Sequence, residues 1–374
     1  MITYDLVFAG GGAKGAVHSG ALKELEKQGH SFGRLAGTSA GAITAMLLAA
    51  GYNADGVAAT FSEKLENGRN RLTTLLDTAT ITEIDADAIR DSITFSDLKF
   101  PFLSDKHAEQ AREKIMRELL EQETYRQLFS FIEFGGFYSG AIFLAWMQEK
   151  LAAANGRFPP NITLAEFYQQ TAVHLTLVAT DTIVKDRLIL NHITAPNLPV
   201  AWAVRMSMSI PLVWEEVLWR SEWGTYRGQN IDGHTIVDGG VVANLPLDLM
   251  LDNTPEIIDM MGSPSPNPAI GLRIDDSMVV PGTDDAPPDK LPLKDRLEVD
   301  GRFSIVTTRL ENLVNTLTNA HDDIVAHLYP DNVCRLPAKG YDTMEFNMSD
   351  ARIELLINAG AEAMAVYLEQ SNED

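Results

Sequence analysis

The chain has 374 residues, of which 45% are apolar and 22% charged, so it can form a globular protein with a deep core. Its formal net charge of −22 argues against nucleic acid as a partner, because phosphate contacts need clustered Lys and Arg. The single cysteine, Cys334, excludes an internal disulfide and a cysteine-ligated metal site.

The N-terminus starts with a strand-like run and has no basic segment ahead of a signal-like apolar core. The longest largely apolar stretch, residues 40–50, is too short to span a bilayer. These features predict a cytoplasmic protein, with membrane association and signal-less secretion left open.

The first fifty residues predict an α/β unit. Residues 3–9 are a short apolar run typical of a buried strand, and a glycine cluster follows them. Residues 16–28 are expected to form a helix and residues 33–36 a second strand. The nearly all-apolar run at 40–50 predicts a buried helix. Elements in this order favour a parallel sheet.

The remainder of the chain predicts helices and further strands around one core. Residues 52–130 are more polar and mainly helical in pattern, and the aromatic stretch 131–147 is expected to pack in the core or to contribute to a lid. Further strands are expected at 174–179, 187–191, 235–238 and 270–274.

Two helices are expected near the C-terminus. The first is predicted to carry on one face Ile305, Leu310, Leu313, Leu317 and Ile324. No boundary divides the chain, so we expect one domain over residues 1–374. It would contain a helical, lid-like insertion around 52–165 and a C-terminal helical segment around 300–370.

The strongest local motif is Gly37-Thr38-Ser39-Ala40-Gly41, which fits G-x-S-x-G. In this motif the serine lies on a tight turn between a strand and a helix, with its hydroxyl exposed for nucleophilic attack. Gly37 and Gly41 are required because side chains would clash in so tight a turn, and the following helix points its N-terminus at Ser39. The alternative is a helix-capping serine in an unrelated turn.

A second motif is the glycine loop, formed by Gly10, Gly11, Gly12, Ala13, Lys14 and Gly15. A dinucleotide site would need an acidic residue about 20 positions later, and none occurs between Glu26 and Asp55. A phosphate-binding P-loop would need Ser or Thr after Lys14. The remaining interpretation is an oxyanion hole of backbone N–H groups, with Lys14 adding charge or holding the loop. Since both turns follow parallel strands, they should meet in one crevice.

Ser39 needs a base to take its proton. A histidine base, as in α/β-hydrolases, would follow the nucleophile in the chain, but that fold places several strands before the serine. His321 is better explained as a boundary residue and His18 by helix packing. The other candidate is Asp238, which ends a predicted strand and is followed by Gly239 and Gly240, although an Asp-Gly turn alone is common.

The three motifs, in this order and spacing, resemble those of the patatin-like phospholipase family. Weaker similarities are the serine-rich stretch 206–211, and Asn244 and Pro246 after the Asp-Gly-Gly turn. Recognisable similarity covers roughly residues 4–51 and 170–250. The resemblance implies an α/β fold of three αβα layers, with a largely parallel central sheet and helical insertions.

The resemblance also implies a Ser39–Asp238 catalytic dyad, with the glycine loop as oxyanion hole and no metal or cofactor. Asp238 would take the proton from Ser39 directly, and burial would raise its pKa. The expected activity is lipid acyl hydrolysis of the phospholipase A or lysophospholipase type, with transient membrane contact. A carboxylesterase for small soluble esters and a non-catalytic lipid- or nucleotide-binding module remain alternatives, and the sequence leaves an activator and the oligomeric state open.

Overall fold

The computed structural model describes residues 1–79, 89, 91–97, 104–154, 157–283 and 304–371. The strands are β1 (Thr3–Phe8), β2 (Ser31–Thr38), β3 (Gly136–Tyr138), β4 (Leu175–Asp181), β5 (Asp186–Leu190), β6 (Leu212–Trp214), β7 (Val217–Leu218), β8 (Thr235–Asp238), β9 (Ala269–Val279) and β10 (Val333–Lys339). The helices are α1 (Ala16–Lys27), α2 (Ala40–Ala49), α3 (Ala54–Phe61), α4 (Ile93–Asp97), α5 (Asp105–Leu120), α6 (Glu123–Phe134), α7 (Ala141–Ala153), α8 (Leu164–Thr171), α9 (Val200–Ser207), α10 (Asp248–Leu251), α11 (Pro255–Met261), α12 (Ser304–Leu328) and α13 (Asp350–Ser371).

The predicted N-terminal unit is confirmed, because β1, α1, β2 and α2 lie where the sequence pattern indicated. Within the described residues, the central sheet contains β10, β9, β1, β2 and β4 as parallel neighbours in that order. β5 and β8 run antiparallel to β4, and β7 runs antiparallel to β8. The α/β fold with a largely parallel sheet is therefore confirmed.

Helices cover both faces of this sheet. Side chains of β1 alternate between the faces, so Leu6 and Phe8 join one core cluster while Val7 joins another. α1 and α13 pack together on the first face. On the second face, Val325 of α12 packs with Val7 and Leu245. The result is the expected three-layer αβα arrangement.

The segment between α2 and β4 is helical and also carries the short strand β3, which pairs in parallel with β6. It has a small core of its own, made by Ala79, Ile89, Phe95, Met116, Leu120 and Phe129. Of the aromatic stretch, Phe137, Phe143 and Trp146 are buried, whereas Phe134 reaches the surface. Parts of the predicted insertion, residues 80–88, 90, 98–103 and 155–156, lie outside the described residues.

The C-terminal part shows two features that the sequence did not predict. Leu313 and Ile324, two of the apolar residues predicted to share one face of α12, are 58% and 60% exposed, while Asp322 is buried. Helical spacing identifies an apolar stripe, but it does not determine whether that stripe faces the core or the solvent. The side chains at 305, 310 and 317 lie outside the described residues. β10 was not predicted, because its proline and alternating basic residues obscure a strand pattern.

Among the described residues, no helix combines the length and the apolar character needed to cross a membrane.

Candidate active site

Ser39 occupies a tight turn between β2 and α2. Its backbone has φ 53° and ψ −121°, which is a rare conformation for a residue with a side chain. The turn is so close that a Cβ on Gly41 would lie 2.1 Å from the carbonyl oxygen of Phe8. The backbone N–H of Ser39 donates to Oγ of Ser207 at 3.0 Å, and that hydroxyl donates to the carbonyl of Val178. Contacts within the fold therefore stabilise this conformation.

Two strands meet end to end beside β4 and bring Ser39 close to Asp238. β2 pairs with β4 up to Thr38, which lies opposite Val178. β8 pairs with the next residues of β4, so that Asp238 lies opposite Ala179. β5 occupies the other edge of β4, and the carboxyl ends of β2 and β8 therefore abut. The serine turn and the aspartate turn start from this junction.

The carboxyl of Asp238 is buried, as predicted, with 3% exposure. Its Oδ1 accepts a hydrogen bond of 2.7 Å from the N–H of Gly240, and Oδ2 has no partner of ordinary geometry in the described part of the chain. Burial raises the pKa of Asp238 to about 7, while the Ser39 hydroxyl and the Gly240 N–H oppose this rise. The Ser39 hydroxyl is thus near the carboxyl without a well-formed hydrogen bond to Oδ2, and such bonds are often long in structures without substrate.

The glycine loop lies beside this pair, and several of its N–H groups already have acceptors. The N–H of Gly10 donates to Oδ1 of Asn244 at 3.1 Å, and that of Ala13 to the carbonyl of Thr343 at 2.8 Å. The N–H groups of Gly11 and Gly12 have no acceptor among the described residues. Of the six predicted loop residues, these two therefore offer the best donors to an oxyanion.

Lys14 is buried and does not face the reacting groups as a free cation. Its ammonium contacts both carboxyl oxygens of Asp276 at 2.7 and 2.9 Å; Asp276 lies within β9, at the irregularity in its pairing with β10. Of the two roles expected for Lys14, this contact favours holding the loop. The structure thereby ties the glycine loop to β9, a strand from the C-terminal third of the chain.

Ser39 lies on the walls of two small cavities of different polarity. One, of about 30 Å³, has walls of mixed polarity and is shared by Ser39, Asp238 and the glycine loop, with Asp276 and Asn319 also in its walls. The other, also about 30 Å³, is apolar; its walls include Gly12, Ile43, Phe61, Phe143, Trp214 and Phe346. The predicted glycine loop, Ser39 and Asp238 are thus brought together.

None of the eight histidines lines either cavity, although all eight are described. His18 is fully buried against Phe8, and burial lowers its pKa to about 3. His321 lies within α12 at the boundary between core and surface, with Nδ1 3.6 Å from Oδ1 of Asp322. The described residues also contain no group of three or more His, Cys, Asp or Glu side chains arranged to hold a metal ion.

A family model described as patatin-like phospholipase matches residues 6–251, about two thirds of the chain. The chain belongs to the patatin-like phospholipase family. Membership in this family supports hydrolysis of lipid esters. The match covers all three predicted motifs and ends before β9, so the family model does not describe the C-terminal third of this patatin-like phospholipase.

Comparisons over the whole chain give three further similarities. The uncharacterized protein YqhO of Bacillus subtilis (strain 168) is 26% identical over 373 residues, which cover 98% of both chains. The crystal structure of VipD from Legionella pneumophila has 16% identity and a TM-score of 0.50, over 98% of this chain and 67% of VipD. The ExoU–SpcU complex of the Pseudomonas aeruginosa type III secretion system gives 19% identity and a TM-score of 0.41, over 100% of this chain and 52% of that one. At such identity the VipD match shows the fold.

Several residues that build the site of this patatin-like phospholipase were not singled out from sequence. Ser207 lies in the serine-rich stretch that was noted only as a weak similarity, and Asn244 follows the Asp-Gly-Gly turn. Asp322 and Thr343 lie beyond residue 251 in segments with no recognisable motif. Only their contacts with the glycine loop and with Asn244 reveal them, because those contacts join residues far apart in the chain.

Proposed function

We propose that this protein is a lipid acyl hydrolase of the phospholipase A or lysophospholipase type, with Ser39 as nucleophile and Asp238 as base. The observation that carries this proposal is the meeting of β2 and β8 at β4, beside two glycine N–H groups that find no acceptor in the described part of the chain. A buried carboxyl next to a serine on a strained turn fits acyl transfer better than a helix cap.

The steps follow from the protonation of Asp238. With a pKa of about 7, a substantial fraction of the carboxyl is ionised at neutral pH and can accept the Ser39 proton. Ser39 Oγ attacks the ester carbonyl, and the N–H groups of Gly11 and Gly12 stabilise the negative oxygen. Asp238 then returns the proton to the departing alcohol. Water attacks the acyl-enzyme with Asp238 again as base, which releases the fatty acid and restores Ser39.

The two cavities suggest how a lipid ester is oriented. The apolar cavity suits the acyl chain, and the more polar of the two cavities, next to Asp238, suits the alcohol with its headgroup. Each has a volume of about 30 Å³ here, far below the several hundred Å³ of typical ligand pockets. Binding a long acyl chain therefore requires the walls to move. The lid-like role of the helical insertion around 52–165, transient membrane contact and a separate activator remain predictions.

The proposal is tested by hydrolysis of p-nitrophenyl esters of increasing chain length and of phosphatidylcholine vesicles. We expect Ser39→Ala and Asp238→Asn each to reduce kcat by at least about 10³-fold. Matched controls are Ser221→Ala and Asp232→Asn, which change exposed residues of the same types and should retain full activity. Near-normal activity of Asp238→Asn would show that another group is the base.

The small volume of the apolar cavity favours one second candidate, a carboxylesterase for short soluble esters. The same catalytic pair would serve both activities, so only the substrate profile separates them. A maximum at acetyl or butyryl esters, with no release of fatty acid from vesicles, would establish the esterase. Binding of vesicles without hydrolysis of any ester would instead indicate a non-catalytic lipid-binding module.

A further inference from the structure

A buried carboxyl from the C-terminal helix α12 contacts the proposed site through one side chain. Oδ2 of Asp322 accepts a hydrogen bond of 2.7 Å from Nδ2 of Asn244. Oδ1 of Asn244 in turn accepts the N–H of Gly10 at 3.1 Å. Asp322 and Asn244 are 1% and 5% exposed. An unbroken chain of hydrogen bonds thus leads from α12 to the first residue of the glycine loop.

The Asn244 amide can serve Gly10 in only one orientation. Its oxygen must face the Gly10 N–H, so its NH₂ group needs acceptors elsewhere: the Gly10 carbonyl oxygen lies 3.5 Å from Nδ2, at the limit of a hydrogen bond, and a shorter contact needs a second buried acceptor. Asp322 supplies that acceptor. Without it, a flipped amide would place NH₂ against the Gly10 N–H, which leaves two donors facing each other. The contact is close, because a Cβ on Gly10 would lie 2.4 Å from Oδ1 of Asn244.

Stability alone does not explain why a carboxyl is buried here. Oδ1 of Asp322 has no hydrogen-bond partner in the described residues, and an unsatisfied buried polar atom destabilises a fold. The helix also leaves apolar side chains, including Leu313 and Ile324, at the surface. α12 therefore buries the carboxyl of Asp322 while apolar side chains of the same helix remain at the surface. Such a costly arrangement is typical of functional positions.

We infer that Asp322 is a positioning residue for acyl transfer: through Asn244 it fixes the glycine loop so that the N–H groups of Gly11 and Gly12 face the reacting carbonyl. The inference rests on the proposed function for its kinetic consequence, but the effect on the loop itself is independent of turnover. Asp322 lines neither cavity that Ser39 lines, so it acts through Asn244 and not on substrate.

Three variants separate positioning from a general effect on folding. Asp322→Leu removes the acceptor and fills the space with an apolar group; kcat should fall about 10- to 100-fold with KM nearly unchanged, while Tm stays equal or rises. Asn244→Asp sets two carboxyls against each other and should also lose activity. The double variant Asn244→Asp with Asp322→Asn exchanges donor and acceptor and restores the hydrogen bonds, so kcat should recover at least tenfold. Asp323→Asn, which changes the next residue of the helix, is the matched control.

The deciding measurement is hydrogen–deuterium exchange of the peptide containing Gly10, with kcat measured on the same samples. Exchange at the loop should accelerate at least about tenfold in Asp322→Leu and return towards the wild-type rate in the exchanged pair. Unchanged loop exchange in Asp322→Leu would overturn the inference, as would kcat within twofold of wild type in an otherwise active enzyme. If Asp322→Leu does not fold, the comparison of Asn244→Asp with the exchanged pair still decides. An inactive wild type would contradict the proposed function, and the exchange rates alone would then test whether Asp322 positions the glycine loop.

Discussion

The part of the chain that matches the family model and the part beyond it contribute different things to the site. Residues 6–251 supply the proposed reacting groups, Ser39 and Asp238, together with the glycine loop. Later residues supply walls and supports: Asp276 binds Lys14, Asp322 binds Asn244, and Phe346 closes the apolar cavity. The comparison teaches that the proposed reacting groups and the residues that support them come from separate stretches of the chain.

Two buried carboxyls illustrate the difference. Asp238 and Asp322 each accept one hydrogen bond and each leave one oxygen without a partner in the described residues. Asp238 lines the cavity with Ser39, whereas Asp322 lies behind the glycine loop. If the two parts of the chain differ in this way, changes in residues 6–251 should alter the pH dependence and rate of the reaction. Changes in the second part should alter the loop and the choice of substrate.

The largest effect expected without changing a residue is the dependence of activity on pH. Asp238 must be ionised to act as base, and burial raises its pKa to about 7, so kcat/KM should fall about tenfold per pH unit below 7. At pH 5 about 1% of the activity above pH 8 should remain. Initial rates on a soluble ester between pH 5 and 9 measure this, with Tm followed over the same range as a control for unfolding. A midpoint near 4 would mean that the base is an ordinary exposed carboxylate.

A smaller effect is expected where the two regions are joined by an ion pair. Asp276→Asn leaves the buried Lys14 ammonium without its counter-charge, so the glycine loop should shift and kcat should fall about tenfold. Asp55→Asn is a matched control, because Asp55 pairs with Lys23 at the surface, where ion pairs contribute little. Equal activity of both variants would show that the contact between Lys14 and Asp276 does not position the loop.

Substrate choice should change when the wall of the apolar cavity is shortened. Phe346→Ala enlarges the space next to Ser39, so the ratio of kcat/KM for dodecanoyl over butyryl esters should rise about 3- to 10-fold. Phe95→Ala removes an equally buried ring from the separate small core and controls for lost stability. The same shift in both variants would indicate general loosening in place of a local determinant of chain length.

The smallest effect concerns α12, part of whose predicted apolar face is exposed. Ile324→Gln changes an exposed side chain and should alter the free energy of unfolding by less than about 0.5 kcal/mol. The adjacent Val325→Ala removes methyl groups from the core and should cost about 2 kcal/mol. Urea denaturation of both variants gives the two values. The reverse order would mean that α12 packs through its apolar stripe after all.

The same division explains how much the sequence could predict. The α/β class, the early elements and the site motifs depend on local patterns, which is why β1, α1, β2 and α2 were predicted within a few residues. Asp238 comes close to Ser39 because β8 pairs antiparallel with β4, next to the end of β2. No local sequence pattern specifies the pairing of β8 with β4. The orientation of α12 was not predicted for a similar reason, because the buried Asp322 is held by a hydrogen bond from Asn244, 78 residues away.

The position of β1 in the sheet also bears on the order in which the protein is made. β1 pairs with β2 on one side and with β9 on the other, and β9 follows about 260 residues later. At ribosomal speeds this delay is on the order of 10 to 50 s. During that interval a nascent chain can contain Ser39 and Asp238 while the glycine loop still lacks Asp276, Asp322 and Thr343. A site assembled in this order is complete only after nearly all of the described chain has been synthesised.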